Sequence, residues 1–158
     1  MPSLDRTDCA ILRELQKNAR VQNKTLAERV GIAESTCLQR VRRLRDEGVI
    51  EGHHTALQPE ALGIGLQAMV SVQLSSHSRS VVETFREDVR NRPEVVALYH
   101  LGGRTDFLLH VAVRGPEHLR DLILSAFTER EAVQQVETAL VFEREEMDAW
   151  PIYPAARE

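Results

Sequence analysis

The N-terminal third of the chain alternates between short runs of helical hydrophobic periodicity and short breaks. The first run places an apolar stripe between Leu4 and Leu15 and ends near Asn18. Asp5 and Asp8 stand at its start, where carboxylates suit the positive end of the helix dipole. This pattern predicts an opening amphipathic helix.

Two further helical runs follow it closely. The second begins after Asn23, a residue that favours the N-cap position, and Gly31 stops it. The third runs from about Ala33 to Glu47 and is closed by Gly48. A helix, a tight glycine turn and a longer helix form the helix-turn-helix arrangement.

The third helix has two distinct faces when its residues are placed about 100° apart. Cys37, Val41 and Leu44 fall within one narrow arc and are predicted to face a core. Hydroxyl, amide and guanidinium groups lie opposite that arc and on its flank. Such groups read base edges and hold phosphates in the major groove. The predicted DNA-binding residues are Ser35, Thr36, Gln39, Arg40, Arg42 and Arg43.

The periodicity changes after the third helix. Residues 49–57 are rich in β-formers and predict a short strand and a tether, which would form a small wing. Beyond them the chain alternates strand and helix patterns: strands at 67–74, 95–101, 107–113 and 133–142, and helices at 78–92 and from Pro116.

This order, βαββαβ, predicts a ferredoxin-like domain with both helices on one sheet face. The fold class is therefore α+β, a winged helix-turn-helix followed by a ferredoxin-like domain, and the open sheet face suggests a partner subunit. The predicted boundaries are a DNA-binding domain at 1–52, a linker at 53–63, an effector-binding and assembly domain at 64–145, and a tail at 146–158.

The charge is distributed unevenly. Residues 1–52 have ten basic against eight acidic side chains, whereas residues 53–158 have ten against sixteen, for a net charge of -4. A basic first third joined to an acidic remainder suggests two separate functions. No signal peptide or membrane span is predicted, which favours a cytoplasmic protein.

Other chemistry is sparse. Cys9 and Cys37 have no metal-ligand or disulfide spacing and are expected to be buried, reduced thiols. The six histidines show no helix-face metal spacing and are interpreted as ordinary surface or sheet residues. We expect no catalytic residues, metal or cofactor. The apolar tail at 150–154 is expected to pack either on its own domain or on a neighbouring subunit.

Several segments together are similar to the Lrp/AsnC family, the leucine-responsive "feast/famine" transcription regulators. They appear in the family's order and spacing along nearly the whole chain: Leu4–Gln16, Leu26–Gly31, Cys37–Leu44, Gly48–Gly52 and Gly102–Phe107. The resemblance implies a regulator that binds double-stranded promoter DNA. It also implies homodimers that form through the sheets and assemble further, often to octamers.

The resemblance further implies a small effector, usually an amino acid, bound near a Gly-x-x-Asp loop. Carried onto this chain, the effector residues are Gly102, Gly103, Arg104, Thr105 and Asp106. A carboxylate suits the effector's ammonium, and backbone N–H groups suit its carboxylate. In the alternative, the glycines make the turn and Asp106 caps it. Arg104 and Thr105 depart from the leucine-responsive pattern, which suggests a more polar or acidic effector.

Two rival functions remain open at this point. Sirohaem decarboxylase subunits resemble both domains, and His100 or His110 near the hairpin could contact a tetrapyrrole. The basic helix face opposes that interpretation, because an enzyme has no need of it. The second rival is a protein that packages DNA without an effector, and it predicts little discrimination between promoter and random DNA.

Overall fold

The computed structural model describes residues 3–145, 147 and 149–154. They form two compact units. The first contains the described residues up to Thr55 and those from Glu145 onward, and the second is Ala56–Arg144. Each unit has its own hydrophobic core.

The first unit is a small helical domain. Its helices are α1 (Arg6–Lys17), α2 (Asn23–Val30) and α3 (Glu34–Asp46). The apolar stripes of the three helices meet in one buried cluster, which includes Ile11 and Leu26. Cys37, Val41 and Leu44 of α3 lie in this cluster, which confirms the core face predicted by helical periodicity.

The helix starts differ in how they are capped. Asp5 caps α1, where its side chain accepts the Asp8 N–H at 2.7 Å and its own N–H donates to the Asp8 carboxylate at 3.1 Å. The prediction that Asn23 caps α2 is wrong: Gln22 occupies the N-cap position, without a side-chain cap bond. The Asn23 amide instead donates to the Glu34 carbonyl at 2.9 Å, and so joins the starts of α2 and α3.

The segment after α3 also departs from prediction. The short strand expected over 49–57 is not formed, because that segment has no regular structure and no paired strand. The N–H groups of Val49 and Ile50 both donate to the Leu44 carbonyl, at 2.9 and 3.0 Å, around Gly48 with φ 72°. These N–H groups therefore close the helix and cannot join a sheet ladder.

The described residues of the tail belong to the first unit. The side-chain amide of Gln16 in α1 donates to the Trp150 carbonyl at 3.3 Å and accepts the Trp150 N–H at 2.5 Å. Pro151 and Ile152 line a cavity of about 740 Å³ together with residues of α1 such as Leu12. The described tail residues thus dock on the first unit and not, as one of the two expectations had it, on the domain that precedes the tail.

The second unit has the predicted βαββαβ order. A short 3₁₀ turn (Pro59–Leu62) precedes its strands and helices, and a π-helical turn (Leu124–Thr128) extends the last helix. The elements are β1 (Leu66–Leu74), α4 (Arg79–Arg90), β2 (Val95–His100), β3 (Phe107–Val113), α5 (Pro116–Ile123) and β4 (Val133–Val141).

The four strands form one antiparallel sheet in the order β2-β3-β1-β4, which confirms the ferredoxin-like fold. Alternate residues of β1 and β3 point toward the helices and are fully buried, among them Val70 and Leu109. Phe85 of α4 packs on Phe107 of β3, with ring centroids 4.8 Å apart, and on Phe127. The core therefore lies between the sheet and its helices. Within the described residues of this unit no helix covers the opposite sheet face, which is called the open face below.

Within the described residues no helix is both long enough and apolar enough to cross a membrane.

Candidate DNA-binding face and effector site

The predicted reading face of α3 is exposed. Ser35, Gln39 and Arg42 lie opposite the buried core face, and Thr36 lies on its flank. All four residues are exposed. At the N-cap residue, Ala33, no described side chain makes a capping bond, so the first-turn N–H groups can meet phosphate. No salt bridge reaches Arg42 within the described part of the chain.

The turn before α3 fixes the angle between α2 and α3. Gly31 has φ 74°, a left-handed conformation that favours glycine, and its N–H donates to the Ala27 carbonyl at 2.9 Å. The Ile32 N–H reaches the same carbonyl at 3.1 Å. Together with the Asn23–Glu34 bond, this turn holds α3 rigidly on α2.

Two of the six predicted DNA-binding residues form ion pairs with other residues of the same unit. Arg40 donates from one Nη1 to Asp5 at 2.6 Å and to Asp8 at 2.9 Å. Arg43 donates to the other Asp8 oxygen at 2.6 Å. Both guanidinium groups thus form ion pairs with carboxylates at the start of α1. To bind DNA, they would have to break these ion pairs or contact phosphate while keeping them.

The titration behaviour of this cluster follows from its hydrogen bonds. The Asp8 N–H, and to a lesser degree the Arg40 guanidinium, hold the pKa of Asp5 below its usual value. The hydrogen bonds that Arg40 donates to Asp5 and Asp8 raise the pKa of Arg40, and the hydrogen bond that Arg43 donates to Asp8 raises the pKa of Arg43. Asp5, Arg40 and Arg43 therefore keep their charges at neutral pH.

Both cysteines are buried free thiols, as predicted. Burial, and secondarily the Glu34 carboxylate, raise the pKa of Cys37, so this thiol stays protonated and acts as a core residue. Among the described residues no group of three or more histidine, cysteine or carboxylate side chains could hold a metal ion.

The candidate effector loop joins β2 to β3. Gly103 has φ 135°, which favours glycine, and Gly102 and Arg104 are exposed beside it. The loop is closed by a bond of 2.8 Å from the Leu101 N–H to the Asp106 carbonyl. The Asp106 N–H donates to a carbonyl of β1 at 3.0 Å, which anchors the loop's end to the sheet.

The Asp106 carboxylate is buried and both its oxygens have partners. One oxygen accepts the Leu74 N–H at 2.7 Å, and the other lies 2.9 Å from Nε2 of His77. Sequence reasoning missed His77 because it lies outside the loop, and only the pairing of β1 with β3 brings it there. Its side chain is 70% exposed, so the imidazole can leave without disturbing the core.

A polar cleft of about 250 Å³ adjoins the same loop. Arg104 and Thr105 line it, together with residues of β1 and β4: Ser71, Val72, Gln73, Gln135 and Glu137. It contains a cation, a carboxylate, hydroxyls and amides. The two loop residues that depart from the leucine-responsive pattern therefore both face a polar space.

The open sheet face mixes polar and apolar groups. Register places Met69 beside His110, and Leu108 beside Ser71. Gln67 and His110 are joined by a bond of 2.9 Å on this face. These paired polar and apolar side chains form a mixed surface suited to protein contact.

Comparison with known proteins agrees with both units. Residues 4–51 match the model of a winged helix-turn-helix DNA-binding domain, and residues 67–151 match the model of the Lrp/AsnC ligand binding domain. The chain is 46% identical to the HTH-type transcriptional regulator AldR of Mycolicibacterium smegmatis over 89% of this chain and 82% of that protein. It is 34% identical to the leucine-responsive regulatory protein of Escherichia coli, over 89% and 85%.

A solved structure extends the agreement to three dimensions. A transcriptional regulator of Neisseria meningitidis in complex with L-Met superposes with a TM-score of 0.83 at 32% identity, covering 92% of this chain and 94% of that one.

A helix-turn-helix unit joined to a ligand-binding ferredoxin-like unit defines a ligand-responsive transcription regulator, and the relatives are named regulators and not enzymes. The chain belongs to the Lrp/AsnC family. The tetrapyrrole-enzyme alternative is accordingly not favoured.

Proposed function

We propose that this chain regulates transcription in the cytoplasm by binding specific double-stranded DNA through α3, and that a small amino-acid effector modulates this binding. The observation that supports DNA recognition most directly is the exposed face of Ser35, Thr36, Gln39 and Arg42, on a helix whose other side is locked into a core. Gln39 and Arg42 suit adenine and guanine edges, and the two hydroxyls suit phosphate. Arg40 and Arg43 we assign to holding α3 on α1.

Arg42→Ala is expected to weaken binding to the specific site by about 1–3 kcal/mol, because a guanidinium that reads a base is lost. The measurement is a binding titration on the site located by footprinting, at one salt concentration. Arg86→Ala is the matched control, since it removes an exposed arginine of the other unit. Equal affinities for Arg42→Ala and Arg86→Ala would remove Arg42 from the contact set.

For the effector we propose the loop at 102–106, with an amino acid as the ligand class. The L-Met complex of the Neisseria relative supports this class. An effector ammonium could replace the His77 imidazole, which already lies 2.9 Å from Asp106. The glycine N–H groups and Arg104 suit the effector carboxylate, and the polar cleft beside Thr105 favours a polar side chain.

We further propose a homodimer formed through the open sheet faces, and assembly of dimers to an octamer. The ordered, partly apolar surface around Met69 and Leu108 supports the first step, because such a face is stabilised by a second copy.

Tyr99→Asp is expected to shift the protein from dimer toward monomer. Tyr99 is 51% exposed on the open face of β2, opposite Leu108, so a carboxylate there costs the single subunit little but would be desolvated in the interface. Sedimentation velocity across a dilution series measures the change. Leu124→Asp, at 45% exposure on the helix side, is the matched control. If both variants sediment like the parent protein, the open face is not the dimer contact.

A further inference from the structure

The DNA-binding unit contains a fully buried carboxylate, that of Asp8, which is not part of the exposed face of α3. Asp8 has no exposed surface, and its two oxygens accept from Arg40 at 2.9 Å and from Arg43 at 2.6 Å. It also accepts the Asp5 N–H at 3.1 Å. A charge is tolerated at such depth when it is paired and hydrogen-bonded, so both arginines are needed where they stand.

The cluster fixes how α3 is turned about its own axis. Arg40 and Arg43 are three residues apart and therefore lie on one side of the helix. Both converge on a single residue of α1, which is 32 positions before Arg40 in the chain. The side chains of α3 keep their spacing of about 100° per residue and turn together. A rotation of α3 about its axis would therefore carry Gln39 and Arg42 away from the direction that they now face.

The cluster also changes the charge that α3 presents to DNA. Two carboxylates, Asp5 and Asp8, oppose two guanidinium groups, so the four together are neutral. Arg42 is the neighbouring arginine on the exposed face, and no described carboxylate pairs with it. Attraction to phosphate that ignores sequence is thereby reduced, while the group placed to read a base stays available.

We propose that Asp8 is a positioning residue for sequence discrimination: it sets the rotation of the recognition helix and withholds two arginines from unspecific phosphate binding. This inference rests on the proposed DNA-binding role of α3. Its consequence is a higher ratio of specific to unspecific affinity, obtained from a residue that does not touch DNA.

The test compares Asp8→Asn with the parent protein on two duplexes of equal length, the footprinted site and a random sequence, over a salt series. The amide keeps the size of the carboxylate but releases the arginines. We expect affinity for the random duplex to rise, with a salt slope steeper by about one to two, and the affinity ratio to fall by about tenfold or more. Asp5→Asn is the matched control with a smaller expected change, because Asp5 is half-exposed and Asp8 would still bind both arginines.

A merely structural role predicts something different. Affinity for both duplexes would then fall in parallel with the melting temperature, without a steeper slope, and that result would overturn the proposal. If Asp8→Asn does not fold, Arg43→Gln decides: a withheld arginine predicts an unchanged random-duplex slope, whereas a slope reduced by about one would show direct phosphate contact and reject the idea. Failure of the parent protein to prefer its site would instead reject the DNA-binding proposal itself.

Discussion

Leu44→Ala is expected to unfold the DNA-binding unit and to abolish DNA binding, while the sheet unit stays folded. Leu44 is fully buried in α3 and packs in a small cluster with Ile11 and Leu26. Truncating a buried leucine costs about 2–5 kcal/mol, which is close to the whole stability of a domain this small. The other core, around Phe85, belongs to a separate cluster and loses nothing.

Calorimetry should then show a lost or strongly lowered first transition beside an unchanged second one. Leu38→Ala is the matched control, because Leu38 lies on the same helix at 40% exposure and its truncation should shift stability by only about 0.5 kcal/mol. If both units melted together in Leu44→Ala, the two cores would have to be treated as one cooperative structure.

Asp106→Asn is expected to abolish the effector response and to leave DNA binding intact. The remaining side-chain oxygen can still accept the Leu74 N–H, which sits at 2.7 Å in the parent protein, so the loop keeps its anchor. The charge that would receive an effector ammonium is lost, and charged hydrogen bonds are about twice as strong as neutral ones. Alanine is the poorer test, because it would leave that N–H buried without an acceptor.

A thermal-shift screen of the twenty amino acids identifies the effector, and calorimetric titration of that amino acid then measures the loss in Asp106→Asn. His77→Ala is the informative partner variant, because removing the imidazole opens the carboxylate and should tighten binding. A full response in Asp106→Asn, with unchanged affinity, would favour the capping role of Asp106. An altered choice of amino acid in Arg104→Gln would assign selectivity to the cleft.

Local patterns predicted the elements because one side of nearly every helix and strand is buried. The spacing of Cys37, Val41 and Leu44 was sufficient to orient α3. The patterns of β1 and β3 predicted two strands but did not assign their buried face, which the structure shows. The strand expected over 49–57 failed for a non-local reason: β-forming residues need a partner strand, and here the backbone turned back to Leu44 instead.

The candidate sites were harder to predict, since they depend on which distant residues meet. Arg40 and Arg43 were assigned to DNA by their place on α3, but the carboxylates that bind them come from α1. The position of Asp8 was explained by its favourable interaction with the positive end of the helix dipole. An exposed carboxylate would interact with the dipole equally well, so this explanation did not predict that Asp8 is buried. Likewise nothing in the spacing of His77 and Asp106 indicates contact until the strands are paired.

The tail that docks beside Gln16 has an evolutionary consequence. Because the described residues from Glu145 onward belong with the first unit, the polypeptide passes between the units twice, near Thr55 and again near Arg144. Simple gene fusion could not exchange the effector unit of this protein for another without also transplanting or redesigning the tail. Recombinant chimaeras, and natural reassortment of such domains, should therefore succeed more often when the foreign unit is inserted between residues 55 and 145 than when it is appended after residue 55.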